Sequence, residues 1–313
     1  MLKFALRRIA ATIPVIALVA VVVFSLLYFA PGDPAIVIAG DQATPEQIQQ
    51  VRVNLGLDQP FWVRFGIWIS GVLRGDLGTS LISNTPVATL IAQRLEPTVS
   101  LMVLTLLWSV IVAVPLGVLA AWKRGTAIDR LVMAFGILGF SVPVFVFAYC
   151  LSYVFAIDLR WVPIQGYVPL SRGILPWLNS LALPAIALGS SYVALISRIG
   201  RATLIEILQQ DYIRTARAKG ASATNILFAH ALKNAAVPIV TVIGIGVGLL
   251  IGGAVVTETV FALPGLGRLT ADAILRRDYP VIQGVVLLFS FTYVLVNLAV
   301  DLIYPLLDPR IRY

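Results

Sequence analysis

The sequence predicts an all-α integral membrane protein with six transmembrane helices, and three observations lead to this fold class. The chain of 313 residues has a mean hydropathy of +0.94, and 12% of its residues are charged, whereas soluble domains carry about a quarter. Six runs of the sequence contain no Asp, Glu, Lys or Arg. None of these runs alternates between apolar and polar residues as the strands of a membrane β-barrel do.

Each charge-free run is long enough to cross a bilayer as a helix. A membrane-spanning helix needs about 20 mostly apolar residues, and the shortest of these runs has 22. Helices are favoured because hydrocarbon offers the backbone no hydrogen-bond partners. The predicted spans are 9–30, 97–122, 131–157, 173–197, 234–257 and 279–300.

The first run follows Lys3, Arg7 and Arg8, and a cleaved signal peptide also begins with basic residues. Its apolar part of 22 residues exceeds the core of a signal peptide, and no small-x-small cleavage site follows it. We therefore expect a retained first helix.

The basic residues predict the orientation of the chain. With six spans both termini lie on one side, and the positive-inside rule places that side in the cytoplasm. The inside segments then carry a net charge of +10 and the outside segments a net charge of zero. Glu258 and Asp301, at the edges of spans, bring the total to +8, so the net charge reports topology. We expect no nucleic-acid partner because the charge is divided among short loops. The inside basic residues are Lys3, Arg7, Arg8, Lys123, Arg124, Arg130, Arg198, Arg201, Arg214, Arg217, Lys219, Lys233, Arg310 and Arg312.

The outside region 31–96 is too polar to cross the membrane and is expected to hold short amphipathic helices. Thr44 is the predicted N-cap of the first, with Pro45 in its first turn and Gln47 at the capping-box position. The segment 61–73, FWVRFGIWISGVL, is rich in aromatic rings that favour the membrane–water boundary. It is either an interfacial lid packed on the bundle or a surface that binds a ligand.

Two further outside loops are expected to be ordered. The loop 158–172 contains the Pro- and aromatic-rich turns of WVPIQGYVPL, and Pro264, Gly265 and Gly267 predict a non-helical passage before a short amphipathic piece. The chain thus divides into an N-terminal helix at 1–30, an outside region at 31–96, a core with five spans at 97–305 and a cytoplasmic tail at 306–313.

A stripe of small residues marks the fifth span. Gly244, Gly248 and Gly252 form two overlapping GxxxG steps, which let another helix approach closely. In one interpretation the stripe packs against another helix of this chain. In the other it lines a pathway or faces a second subunit. The residues alone leave both interpretations open.

The sequence lacks the residue patterns of an enzyme, so no catalytic residue is expected. It contains no G-x-x-x-x-G-K-[ST] nucleotide loop, no metal-ligand cluster around its one histidine, His230, and one cysteine, Cys150, which excludes an internal disulfide. The charge-free spans also lack the ionisable groups that couple proton or sodium gradients to transport. Uphill transport by this chain would therefore take its energy from a partner.

The polar stretch 211–222, DYIRTARAKGAS, lies between two apolar runs. Asp211 is the predicted N-cap, Lys219 lies in the last turn, and Gly220 suits the left-handed C′ position, which gives a helix about 12 Å long at 1.5 Å per residue. Ser222 is expected to cap the helix that leads into the fifth span. This free-standing rod either contacts a cytosolic protein and transmits force, or lies on anionic headgroups.

Segments along nearly the whole chain resemble the first permease subunit of the dipeptide/oligopeptide/nickel group of ATP-binding-cassette (ABC) importers. The matching segments are LRRIAATIPV near the N-terminus, FAPGDPA at 29–35, NLGLDQP at 54–60, GDLGTS at 75–80, TARAKGAS at 215–222, HALKNAAVPIVT at 230–241, GAVVTETVFALPGLGRL at 253–269, RRDYPVIQG at 276–284 and NLAVDLIYPLLDPRIRY at 297–313.

The resemblance implies the type I ABC importer permease fold and assigns 211–220 to a coupling helix that docks on an ATPase. The family signature falls on Arg214, Thr215, Ala216 and Gly220, with Arg214 where the general signature has Glu. The later part of the family signature ends in Leu and Pro. Here His230 and Leu232 stand in that part, but no Pro follows Leu232. The implied ATPase-coupling residues are Asp211, Tyr212, Arg214, Thr215, Ala216, Arg217, Ala218, Lys219 and Gly220.

The resemblance also implies the partners and the location. They are a second homologous permease, two ATPase subunits or one fused ATPase that bind ATP and Mg, an extracytoplasmic solute-binding protein, and the lipid bilayer of the bacterial cytoplasmic membrane. This chain itself is expected to bind no cofactor. The expected cargo is a di- or oligopeptide, with a nickel chelate or another small solute as the alternative. A stand-alone channel, a secondary carrier and a structural anchor are the rival functions.

Overall fold

A computed structural model describes residues 2–29, 34–39, 43–54 and 56–307. The helices are α1 (Leu2–Phe29), α2 (Pro34–Ala39), α3 (Pro45–Asn54), α4 (Phe61–Leu73), α5 (Val87–Trp122), α6 (Ala127–Ser141), α7 (Val144–Leu151), α8 (Ile174–Ile207), α9 (Asp211–Ala218), α10 (Ala223–Asn225), α11 (Lys233–Val260), α12 (Leu266–Arg276) and α13 (Tyr279–Leu307). π-Helical segments continue α7 over Ser152–Asp158 and join α10 to α11 over Ile226–Leu232. The rest of the described chain is loop, apart from a 3₁₀ turn at Leu170–Arg172 and an isolated bridge between Thr79 and Pro86.

Five helices in the described ranges are long and apolar enough to span a membrane. They are Leu6–Ser25, Val87–Trp122, Ile174–Ile207, Ala223–Val260 and Tyr279–Pro305. The third predicted span, 131–157, is a pair of helices, α6 and the α7 segment, with a bend of 106° between them. The all-helical membrane fold is thus confirmed, and the six expected spans correspond to five continuous helices and one broken pair.

Proline explains the break in the third predicted span. Pro143 lacks a backbone N–H and disfavours helical geometry at the preceding residue, and Val142 is extended at φ −87° and ψ 122°. Absence of charge marked this run as a span, but that criterion does not detect a break in the backbone. The same criterion starts the second span too late, because α5 begins at Val87 and includes Arg94 and Glu96.

Helix α8 is the central element of the bundle. In its most apolar window 78% of the residues are buried, against 11% for α13 and 17% for α1, and α8 packs against α5, α6, α7 and α11. Glycines permit the closest approaches: a Cβ on Gly246 of α11 would lie 1.8 Å from the Tyr192 ring. The helices around α8 therefore expose apolar faces that suit lipid or a partner subunit.

The bundle has two ends, which we name after the short helices they carry. At the α9 end, Ala121 of α5 packs with Leu204 of α8 and Ala235 of α11. At the α12 end, loop 158–172 is tied to α11, because Gly166 N–H donates to the Phe261 carbonyl at 3.1 Å. The loop is ordered, as expected, and burial raises the pKa of the Tyr167 phenol, which donates to Glu96 at 2.9 Å.

The N-terminal region contains the predicted short helices. Thr44 N–H donates to Gln47 Oε1 at 2.8 Å and Gln47 N–H donates to Thr44 Oγ1 at 3.3 Å, so the capping box is confirmed. Helix α4 packs its Phe61 and Phe65 rings against Phe24 of α1. The rest of α4 is exposed or half-buried. The predicted tail at 306–313 begins within α13, and 308–313 lies outside the described residues.

A buried ion pair joins α6 to α8 at the α9 end. Arg201 Nη2–H donates to Asp129 Oδ2 at 2.7 Å, and its Nε–H donates to the other carboxylate oxygen. Gly125 N–H also donates to Asp129, at 2.9 Å. The Asp129 side chain is 5% exposed, so it depends on these partners in place of water.

We expect Asp129→Ala to lower the free energy of unfolding by about 3 kcal/mol, because it removes a buried carboxylate that accepts bonds from Arg201 and Gly125 and leaves the half-buried Arg201 without its counter-charge. Chemical unfolding in detergent micelles measures the change. Asp211→Ala is the control, since the Asp211–Arg214 pair is exposed and its loss should leave stability unchanged. Equal effects of the two substitutions would show that the Asp129 pair is not structural.

Candidate functional site

Helix α9 begins one residue earlier than predicted. The N-cap is Gln210, with extended backbone angles of φ −68° and ψ 151° and no side-chain cap bond. The prediction that Asp211 caps the helix is therefore wrong: Asp211 is the first helical residue and accepts a bond from Arg214 Nη1 at 3.1 Å. A carboxylate in the first turn still interacts favourably with the helix dipole.

The end of α9 matches the prediction closely. Gly220 has φ +83°, its N–H donates to the Arg217 carbonyl at 2.9 Å, and Ala221 N–H donates to the Ala216 carbonyl at 3.1 Å. These two bonds form a Schellman motif, which requires a left-handed residue at Gly220. The left-handed turn directs the chain away from α9 and into α10.

One apolar side chain anchors α9 to the bundle. Ile213 is 0% exposed, so the expectation of a free-standing rod is wrong. Asn234 Nδ2–H donates to the Tyr212 hydroxyl at 3.0 Å and thus links α9 to α11. Ala216 is half-buried, and the remaining predicted coupling residues are exposed to solvent: Asp211, Tyr212, Arg214, Thr215, Arg217, Ala218, Lys219 and Gly220.

Both connections of α9 are short and ordered. Leu208 ends α8, and Gln209 and Gln210 lead directly into α9. On the other side Ser222 accepts a bond from Asn225 N–H at 3.3 Å, so the predicted cap of the next helix is confirmed. A displacement of α9 therefore acts on α8 and α11 with little slack.

The glycine stripe of α11 contacts the same chain at two of its three positions. A Cβ on Gly244 would lie 2.5 Å from Val300 of α13, and one on Gly248 would lie 2.8 Å from the Tyr293 ring. A Cβ on Gly252 would have no neighbour within 4 Å. Gly244 and Gly248 thus pack against α13, and Gly252 faces open space.

A buried carboxylate at the α12 end escaped sequence analysis. Glu258 is 0% exposed. It accepts bonds from Thr98 Oγ1 at 2.6 Å and from Arg268 N–H at 2.9 Å. Leu266 N–H donates to the same Thr98 hydroxyl at 2.7 Å. We call these residues, with Gly265, the Glu258 network.

The Glu258 network requires glycine and joins distant segments. A Cβ on Gly265 would lie 2.3 Å from the Glu258 carboxylate, so no larger residue fits there. The non-helical passage at Pro264 and Gly265 is as predicted, whereas Gly267 lies inside α12 against the backbone of Val255. The contacts of Gly265, Leu266 and Arg268 therefore hold the start of α12 against α5 and α11.

A second buried carboxylate supports the same end. Asp278 is 5% exposed and accepts bonds from the Ser80 hydroxyl and from Leu81 N–H, the latter at 3.0 Å. It thereby ties the loop between α4 and α5 to the start of α13. The described residues contain no group of three His, Cys, Asp or Glu side chains that could hold a metal.

We expect Thr98→Val to destabilise the protein by about 2 kcal/mol, because it leaves a buried carboxylate oxygen and the Leu266 N–H without partners. Thermal unfolding and limited proteolysis near α12 report the loss. Thr259→Val is the matched control, since the exposed Thr259 hydroxyl bonds to a carbonyl of its own helix. If both variants melt like the wild type, the Glu258 network does not hold α12.

Sequence comparisons match this architecture to a transport family. The family described as binding-protein-dependent transport system inner membrane component matches residues 113–313, and its N-terminal counterpart matches 1–102. Two solved chains with inward-facing conformations of the MetNI methionine ABC transporter have TM-scores of 0.58 and 0.59. At 20% and 19% identity, each covering 70% of this chain and 96% of its own, they show the shared fold.

Curated relatives match over nearly the entire chain. The "Probable peptide ABC transporter permease protein y4tP" of Sinorhizobium fredii is 54% identical over 99% of both chains. The glutathione transport system permease protein GsiC of Salmonella typhimurium is 42% identical over 100% of both chains. The chain therefore belongs to the binding-protein-dependent transport system inner membrane components and is a permease subunit of an ABC importer.

Proposed function

We propose that this permease imports peptides through the bacterial cytoplasmic membrane. The observation that carries the proposal is the full-length similarity to relatives named for peptide and glutathione transport. Glutathione is itself a tripeptide, so both names specify the same class of cargo. Nothing in these names favours the nickel alternative.

The complex would contain a second homologous permease, two ATPase subunits or one fused ATPase that bind ATP and Mg, and an extracytoplasmic solute-binding protein. Both termini and the α9 end would face the cytoplasm. The charge distribution supports this orientation, because Lys123, Arg124, Arg214, Arg217 and Lys219 all lie at that end.

Helix α9 would serve as the coupling helix. Its exposed face carries Arg214, Arg217 and Lys219 against a single carboxylate at Asp211, so an ATPase surface with acidic groups would complement it. Ile213 would transmit a displacement of α9 to the bundle because it is buried there. ATP binding would then bias the permease between inward- and outward-open states.

The α12 end would face the solute-binding protein. Helix α4 and the passage at Pro264 and Gly265 are the candidates for that contact, because both lie at the outer surface expected from the topology. The glycine stripe would serve helix packing at Gly244 and Gly248, while Gly252 would border the pathway or the second permease.

We expect the complete complex in proteoliposomes to accumulate a radiolabelled peptide with ATP and the binding protein, and not without either. The six charge-free runs of the sequence lack the acidic and basic groups that couple ion gradients to transport, which is why the proposal assigns the energy to the ATPases. Uptake by this chain alone, driven by an ion gradient, would support a secondary carrier and overturn the proposal.

We expect Gly220→Val to uncouple ATP hydrolysis from uptake while membrane insertion persists. The left-handed φ of +83° disfavours a β-branched residue, although a Cβ there would meet no neighbour within 4 Å. Gly220→Asn is the control, because Asn tolerates this conformation and should retain most uptake. Wild-type uptake by the Val variant at equal expression would show that α9 is passive.

A further inference from the structure

We propose that Arg198 of α8 binds the carboxylate of the passing peptide at a water-filled point of the translocation pathway. This inference rests on the proposed function and names a residue that would contact the cargo. Four observations carry it: the contact of the guanidinium with Phe140, the direction of the side chain, the absence of an acidic partner among the described residues, and a helix break beside Phe140.

The guanidinium of Arg198 lies far from the α9 end. Its Cζ is 5.9 Å from the centroid of the Phe140 ring. Phe140 lies about 20 Å along α6 from Ala127 at 1.5 Å per residue. Helix α6 runs alongside α8, because Asp129 pairs with Arg201 and a Cβ on Gly139 would touch the Ser190 carbonyl. The contact with Phe140 thus places the guanidinium beside the last turn of α6, away from the end of that helix that begins at Ala127.

The side chain points towards the membrane interior. Arginines near the end of a membrane helix usually extend towards the closer headgroups. Arg198 extends the other way, from a position one turn before Arg201 towards Phe140. Exposure of this side chain to lipid would be costly, so the exposed side of Arg198 is suited to water or an anion.

Arg198 lacks the partner that its neighbour has. Arg201 is neutralised by the two oxygens of Asp129. Arg198 has no Asp or Glu within ion-pair distance in the described ranges, and its guanidinium lies over the aromatic face of Phe140. A cation–π contact stabilises the charge and leaves its N–H donors available.

The backbone beside Phe140 also indicates a polar surrounding. Helix α6 ends at Ser141, Val142 is extended, and α7 begins at Val144 after a bend of 106°. Non-helical backbone at membrane depth occurs where it is covered by protein or borders water. An exposed cation next to such a break fits a solvated pathway better than a lipid-facing surface.

Peptides supply the matching anion. Every unmodified peptide ends in a carboxylate, and a planar guanidinium can donate two parallel hydrogen bonds to it. The phosphate of an anionic lipid has the same charge, so the experiment must separate the two sources. Recognition of the terminal carboxylate would also be independent of the peptide's side chains.

In the complete complex, Arg198→Gln should lower the rate of ATP-driven peptide uptake about tenfold while the basal ATPase rate stays within about twofold. Arg130→Gln is the matched control, because Arg130 is an exposed cation at the start of α6. Uptake is compared in vesicles of neutral lipid and in vesicles containing phosphatidylglycerol. A defect that appears only with phosphatidylglycerol assigns Arg198 to lipid and overturns the inference.

A second measurement does not depend on uptake. Arg198→Cys is made in a Cys150→Ser background, because Cys150 is exposed and would react. The detergent-purified complex with this variant is then treated with a charged, water-soluble methanethiosulfonate. We expect labelling. In the wild-type protein, a dipeptide with a free C-terminal carboxylate should bind more tightly than the same dipeptide with a C-terminal amide. Arg198→Gln should remove that preference.

No labelling, or an unchanged preference in Arg198→Gln, would contradict the inference. Normal uptake by Arg198→Gln would contradict it as well and would leave the proposed function intact. Absence of ATP-driven peptide uptake by the wild-type complex would contradict the proposed function itself.

Discussion

The inability of hydrocarbon to form hydrogen bonds is the constraint on which this structure depends. It explains why the spans are helical, and it also explains the buried polar contacts between them. Asp129 has Arg201 and Gly125 as partners, and Glu258 has Thr98 and Arg268. Each carboxylate joins segments that are distant in sequence. The need of these buried groups for hydrogen-bond partners therefore fixes which helices meet at each end of the bundle, which apolar packing alone specifies less strictly.

The two ends of the bundle differ in how their polar groups are arranged. At the α12 end, the carboxylates of Glu258 and Asp278 are buried among backbone amides and hydroxyls, which gives a closed and rigid surface. At the α9 end, a single buried side chain, Ile213, holds a helix whose other surface is mostly exposed and basic. An exposed helix with one apolar anchor is suited to contact a partner and still follow the bundle.

Local signals in the sequence were sufficient for many elements. The capping box at Thr44 and Gln47, the left-handed Gly220 and the passage at Pro264 each depend on a few adjacent residues. The Glu258 network was missed because Thr98 and Glu258 are far apart in the chain and a charge at a span edge gives no sign of burial. The break at Pro143 was missed because charge patterns do not report backbone geometry, and the exposed Arg198 could not be told from other inside cations without α6 beside it.

The length of one helix connects the two ends mechanically. The helical stretch Ala223–Val260 runs for 38 residues from the α9 end to the Glu258 network, and it meets α8 most closely where Gly246 contacts Tyr192. A rotation of the stretch about that contact would move its two ends in opposite directions. A tilt of about 10° about it would move Ala223 by about 6 Å and Glu258 by about 3 Å in opposite directions, at 1.5 Å per residue. A small rotation driven from one face of the membrane would thus reach the other face through a single lever.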